Sequence, residues 1–353
     1  MKSIKHKVRA SLLSCLLVVF IAGCGGSQKT TTNIQPPITT VPENSIVNPV
    51  APEGHDPWVI QKDGTYYYLY SHEGSIWLHQ HNQLQDAVQF AGQIIWTPPK
   101  NTEYSEEIWA PEIFFIDGYW YVYFAADDGD NANHRMFVLK SKTANPFSEY
   151  EFVGKLADVS DKWAIDGTVL QHQEKLYFIW SGWEGNENVQ QNIYIAEMDS
   201  PTSIASHRVL ISKPEYPWEK VGTPLVNEGP QTLKNAAGDV FIIYSASGSW
   251  TDSYALGQLR LSGSDPLVAE SWDKHPEAVF ASTDKVFSPG HASFTKSPDG
   301  TEDWIVYHTA KFKGAGWNRD INMKEFTWDS QGNPIFGQPT EKGLVVPAPS
   351  QAK

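Results

Sequence analysis

Three carboxylates stand out by the company they keep. Asp56 in HDPWV (55–59), Asp166 in AIDGT (164–168) and Glu228 in NEGPQ (227–231) each open an apolar, β-branched or aromatic run. An ionisable group beside a strand about to be buried is costly unless it is paired or used. Acids more than 50 residues apart in the chain that converge on one pocket suit hydrolysis of a glycosidic bond. One carboxyl must be protonated to give its proton to the leaving oxygen, and a second must be ionised to activate water or attack carbon. Like charges held close together raise the pKa of the least solvated member, so a third carboxylate has the task of keeping the acid protonated near neutral pH. No HExxH, CxxC or P-loop pattern and no nucleophile elbow offers rival chemistry.

The elements that must position these acids recur five times. Each unit opens with an acid or His entering an apolar strand, then a turn, an aromatic strand, a loop and a third strand. The openings and aromatic strands are HDPWVIQ with TYYYLYS, APEIFFI with YWYVYFA, IDGTVLQ with EKLYFIW, NEGPQTL with DVFIIYS, and GHASFTK with DWIVYHT. With Asp56, Glu112, Asp166, Glu228 and His291 as equivalent positions, the intervals are 56, 54, 62 and 63 residues, room for four strands and their turns. Sheets that cannot bury both faces alone pack radially. The fold expected is therefore all-β, a five-bladed β-propeller with four antiparallel strands per blade. The first strand of every blade then lines the axis, and the polar residues opening those strands meet at one mouth. Recurring turn or cap residues would be the plainer account, but Gly or Asn would serve a turn equally well. No helix pattern interrupts the series.

The 353-residue chain carries a net charge of −14 and 13% aromatics, which concentrate in these short runs. Residues 1–23 read as a lipoprotein signal peptide: a basic start (Lys2, Lys5, Lys7, Arg9), an apolar run too short to span a membrane with confidence, and Ile21-Ala22-Gly23 before Cys24, the residue that would carry lipid. Its removal takes away four basic residues and no acid, moving the charge from −14 to −18. A protein that acidic is repelled by nucleic acid and anionic lipid, so neutral partners are expected. Cys15 leaves with the signal and Cys24 is lipidated, which leaves no disulfide. Residues 24–47, rich in Thr, Pro, Asn and Ser, form a flexible tether, and 48–345 the catalytic propeller.

In their order, HDPWV, WAPEI (109–113), AIDGT, NEGPQ and PGHASF (289–294) resemble glycoside hydrolase family 43, over residues 48–340. The resemblance implies a five-bladed propeller acting by inversion. It implies Asp56 as general base, Glu228 as general acid and Asp166 as the residue that raises the acid's pKa and orients it. An inverting base and acid stand about 6.5–9.5 Å apart, to admit water. The resemblance further implies that His291 faces a central hydrated ion, often calcium, although this chain has Ala292 where relatives commonly have Asn. No cofactor is expected for the chemistry itself.

Arg319 in WNRDIN resembles a substrate-binding arginine of the family, and His55 beside the base is a further substrate-binding candidate. Sugar C–H faces stack on aromatic rings. Of Trp58, Trp109, Trp183, Trp250 and Trp317, the walls expected are Trp109 first and then Trp183. The acidic run DDGDN (127–131) lacks the spacing and final Glu of an EF-hand and reads as a solvated loop. Strings such as QNIYIAEMDSP (191–201) look most like arabinofuranosidases that remove terminal L-arabinose from arabinan or arabinoxylan; a β-xylosidase is the near alternative and a non-catalytic glycan-binding propeller the distant one. The partner expected is a pentose-containing plant or algal polysaccharide or oligosaccharide, met by a monomer that touches membrane only through its lipid. Gly25 is not the Asp that retains lipoproteins at the inner membrane, so an outer-membrane site is expected in a bacterial envelope.

Overall fold

A computed structural model describes residues 42–351. The signal peptide, Cys24 and the tether up to residue 41 lie outside the described residues. The chain builds five antiparallel blades. The first strands are Trp58–Lys62, Glu106–Ile116, Ala164–His172, Leu225–Lys234 and Phe287–Lys296, each followed outward by its hairpin partner. Blades 1, 2 and 5 are separate four-stranded sheets. Blades 3 and 4 are joined by a short parallel pairing of Gln190 and Gln191 with Leu225 and Val226, and blade 3 carries an extra two-residue strand, Ser203–Ile204. One difference from the sequence reading is a single helical turn, Leu84–Ala87, whose Leu84 and Ala87 are buried; four residues are too few to leave a periodic signal.

The tight hairpins follow from local chemistry. Asp63-Gly64 and Asp117-Gly118 both take positive φ at two successive positions, the backbone that matches strand twist across a two-residue loop. Gln173-Glu174 does the same between His172 and Lys175 without a glycine. The aromatic second strands then alternate their faces into the seams on either side. Five apolar clusters result, one in each seam between neighbouring blades. Tyr66 and Tyr68 of blade 1 meet Trp304 and Val306 of blade 5 in the seam that closes the ring.

That seam is reinforced by the leading segment. Ser45–Val47 pairs with Val345–Pro347, so ordered structure begins inside the stretch assigned to the tether and runs past residue 345. Asn48, fully buried, donates from Nδ2 to the Met323 carbonyl at 2.8 Å and accepts from the Met323 N–H at 3.0 Å. The Val50 and Ile321 N–H groups add bonds to Ile321 and Ala51 carbonyls. Asn48→Ala strands two buried backbone groups, and is expected to cost about 2–4 kcal/mol, read as a lowered midpoint in denaturant unfolding.

Candidate active site

The first strands of blades 2 to 5 break their ladders at the axis in the same way. In blades 2 to 5 the pairing jumps between Trp109 and Glu112, Ile165 and Thr168, Glu228 and Gln231, and Gly290 and Ser293. Inside each jump one residue has positive φ: Ala110, Asp166, Gly229 and His291; Asp56 has it two residues before the first paired residue of blade 1. These bulges turn a side chain out of the alternating pattern and toward the axis.

The equivalent positions are therefore 56, 110, 166, 229 and 291. Two members of the sequence alignment were offset. Glu228 precedes the bulge residue of its blade, and Glu112 follows its own by two. Of the five residues aligned by sequence, Asp56, Asp166, Glu228 and His291 border the cavity at the mouth and Glu112 does not. Glu112 lies with Gln231, each two residues past a bulge, and the two side chains are hydrogen-bonded. Burial pushes the Glu112 carboxyl well above the usual range. It is a neutral pin between blades 2 and 4.

The cavity at the mouth has a volume of about 470 Å³, within the range of small-ligand sites. Asp56 is its most heavily contacted acid. Oδ2 lies 3.1 Å from His55 Nδ1, and Oδ1 lies 3.2 Å from His291 Nδ1, 3.4 Å from His308 Nδ1 and 3.6 Å from Arg319 Nη1. Burial opposes ionisation here, but the surrounding His291, His308 and His55 hold the carboxyl well below the usual carboxylate range. Burial drives His291 down from its ordinary value and His308 down to about 3, so the permanent cation beside Asp56 is Arg319.

The other two acids behave oppositely. Asp166 accepts a 2.9 Å bond from the Gly229 N–H, yet burial, then Glu228 and Asp56, push its carboxyl well above the usual range. Glu228 accepts a 2.9 Å bond from the Tyr254 hydroxyl. Burial and Asp56 raise it to about 7, against the lowering effect of Tyr254 and Arg319. One cavity thus holds a carboxyl driven toward the ionised form and two driven toward the protonated form.

His55, Trp109 and Arg319 also border the cavity. Arg319 is buried, with Nη2 donating to the Ser249 carbonyl at 2.8 Å. Trp109 stacks on His134 at 4.0 Å between ring centroids, and His134 Nδ1 lies 2.8 Å from the buried Asp127. The first acid of DDGDN is therefore not solvated, as the sequence reading had it, but supports the tryptophan wall. Trp183 is a second correction. It is buried behind Trp163 in a parallel stack at 4.8 Å, and Trp163 is the ring that faces the cavity. Trp58 is core, whereas Trp250 and Trp317 stand at the rim. Sequence reasoning missed Trp163, Ser249, Tyr254 and His308. Only His308, a polar residue within the apolar run DWIVYHT, carried a visible signal.

The residues present do not fit a calcium ion held by protein ligands. Calcium takes six to eight oxygens, whereas His291 offers nitrogen and turns its Nδ1 to Asp56. Among the described residues no group of three or more His, Cys, Asp or Glu is arranged to hold a metal.

A propeller whose axial mouth gathers three carboxyls of unequal proton affinity against tryptophan walls is the architecture of a glycosidase. The family model for glycosyl hydrolases family 43 matches residues 46–334. An extracellular exo-α-(1→5)-L-arabinofuranosidase of Streptomyces avermitilis is 35% identical over 86% of this chain, which spans 66% of that relative's length. The enzyme of the same name from Streptomyces chartreusis is 32% identical over 75% of this chain and 83% of its own. Among solved structures, an α-L-arabinofuranosidase from Lactobacillus brevis has a TM-score of 0.78 at 33% identity, covering 84% of this chain and 98% of its own. The chain belongs to glycosyl hydrolases family 43.

The raised Glu228 has a consequence for stability. Its carboxyl binds its proton more tightly folded than unfolded, so the stabilisation is fully present below the ordinary value of 4.5 and is lost as pH rises to about 7. The loss is on the order of 3 kcal/mol. Glu228→Gln is expected to melt above the parent at pH 8 and to lose that advantage at pH 5, as read by calorimetry.

Proposed function

We propose that this protein is an inverting α-L-arabinofuranosidase that removes terminal arabinofuranosyl residues from arabinan, arabinoxylan or their oligosaccharides. The observation that carries the reading is that one cavity gathers Asp56, surrounded by three imidazoles and Arg319 that favour its ionised form, and Glu228, whose burial favours its protonated form. Asp56 takes the proton of a water as that water attacks the anomeric carbon. Glu228 gives its proton to the departing glycosidic oxygen. Asp166 and Glu228 repel each other when both are ionised, which favours a proton on the acid, and Asp166 fixes the Gly229 amide beside it. Arg319 and His55 orient the Asp56 carboxylate and the sugar hydroxyls, and Trp109 and Trp163 present flat faces to the ring. The chemistry needs no cofactor.

Arabinose rather than xylose is supported by the names of the relatives and by the solved neighbour at 33% identity. The streptomycete relatives are named extracellular, in line with a secreted or envelope location. We further propose that Cys24 carries a lipid that holds a monomeric enzyme at the outer membrane. Metabolic labelling with a fatty acid should mark the parent and not Cys24→Ser.

Glu228→Gln is expected to lower turnover of arabino-oligosaccharides by about 10²–10⁴-fold and to spare aryl glycosides with good leaving groups. Asp56→Asn is expected to lose activity on both. Near-normal turnover of the oligosaccharide by Glu228→Gln overturns the acid assignment. Nitrophenyl α-L-arabinofuranoside and nitrophenyl β-D-xylopyranoside, compared side by side with NMR of the first-formed anomer, separate arabinosidase from xylosidase. The same spectra separate inversion from retention. Because Glu228 must keep its proton, kcat/KM is expected to fall as pH rises through about 7.

A further inference from the structure

We propose that Tyr254 is a positioning residue that decides which oxygen of the Glu228 carboxyl delivers the proton. The Tyr254 hydroxyl donates to Glu228 Oε1 at 2.9 Å, which commits that oxygen as an acceptor. The acid proton then belongs on Oε2. The inference rests on the reading of Glu228 as general acid.

Tyr254 is fully buried and does not border the cavity, so it acts through Glu228 and not on sugar. Its ring is fixed from three sides. It lies parallel to the His308 ring, with centroids 5.7 Å apart and planes 10° apart. The Arg319 guanidinium sits 5.9 Å above its face. Gly290 packs against its edge, where a Cβ would come within 2.3 Å of the ring. So confined a ring holds its hydroxyl oxygen in place beside Glu228, within hydrogen-bond distance of Oε1. Rings and guanidinium of this kind fix geometry within the tolerance that proton transfer needs.

The bond also sets acid strength. The charged groups facing Glu228 are Asp56 from blade 1, Asp166 from blade 3 and Arg319 from blade 5, with Tyr254 from its own blade. A hydrogen bond donated to a carboxylate favours the ionised form. Tyr254 therefore opposes the two acids and keeps Glu228 willing to release its proton.

Tyr254→Phe keeps the ring and removes the donor. In the full enzyme, the alkaline limb of kcat/KM on an arabino-oligosaccharide, the substrate whose leaving group needs the acid, is expected to move up by about one pH unit. Below the limb, kcat on an arabino-oligosaccharide should fall about tenfold with KM little changed, while the nitrophenyl substrate is spared. A limb that stays in place, or equal slowing of both substrates, overturns the inference. Glu228→Gln measured in parallel keeps the two readings apart. If it abolishes the limb and slows only the oligosaccharide while Tyr254→Phe does neither, only the role of Tyr254 falls. If Glu228→Gln leaves the limb intact, the acid assignment itself falls.

Discussion

The site depends on one backbone constraint: where the first strand of a blade reaches the axis, a residue with positive φ interrupts the ladder. Asp56, Asp166 and His291 bear that conformation on side chains that would otherwise alternate between the two faces of their sheets. Left-handed backbone costs an ordinary residue of order 1 kcal/mol or more, least for Asp and Asn; pairing on either side of the break holds Asp166 and His291 in place, and Asp56 sits two residues before the paired strand of blade 1. Without the bulge, Asp166 would follow Ile165 into regular pairing and its carboxyl would not meet Glu228 and Asp56 in a common space.

Proximity alone would make the three acids mutually destructive. What separates them is the distribution of partners. Asp56 is ringed by three imidazoles and a guanidinium, whereas Asp166 has a backbone amide and Glu228 a phenol with Arg319 acting on it by charge. Burial is common to all three, so hydrogen bonds and charge determine which carboxyl ionises. The neutral Glu112 beneath them makes the same point by contrast, since an amide partner does not compensate its burial.

Much of this was legible in the letters. The five aromatic strands, the Asp-Gly hairpins and the order of the short motifs carried the fold and the three acids, because alternation and turn chemistry are local. Register at the axis was not legible. Glu112 and Asp166 each stand as an acid beside apolar residues, yet Asp166 is the bulge residue of its blade and reaches the mouth, whereas Glu112 lies two residues past its own and sits in the packed interior. Side-chain depth was equally hidden: nothing near Trp183 says that Trp163 will cover it, and nothing in SWTDSYAL announces that Tyr254 will reach an acid 26 residues back. Such contacts are made between loops and strand ends of one blade, whose course the local pattern does not set.

The parallel pairing of Gln190 and Gln191 with Leu225 and Val226 fastens blade 3 to blade 4 by backbone, just where their first strands carry Asp166 and Glu228. Those two carboxyls consequently behave as one stiff unit, further locked by the Gly229 amide. Asp56 hangs from blade 1, whose two seams are zipped by side chains and by the leading segment. The gap between Asp56 and the Asp166–Glu228 pair, which a sugar and its water must fill, is thus spanned by side-chain packing, whereas the two acids that share the proton are joined through backbone.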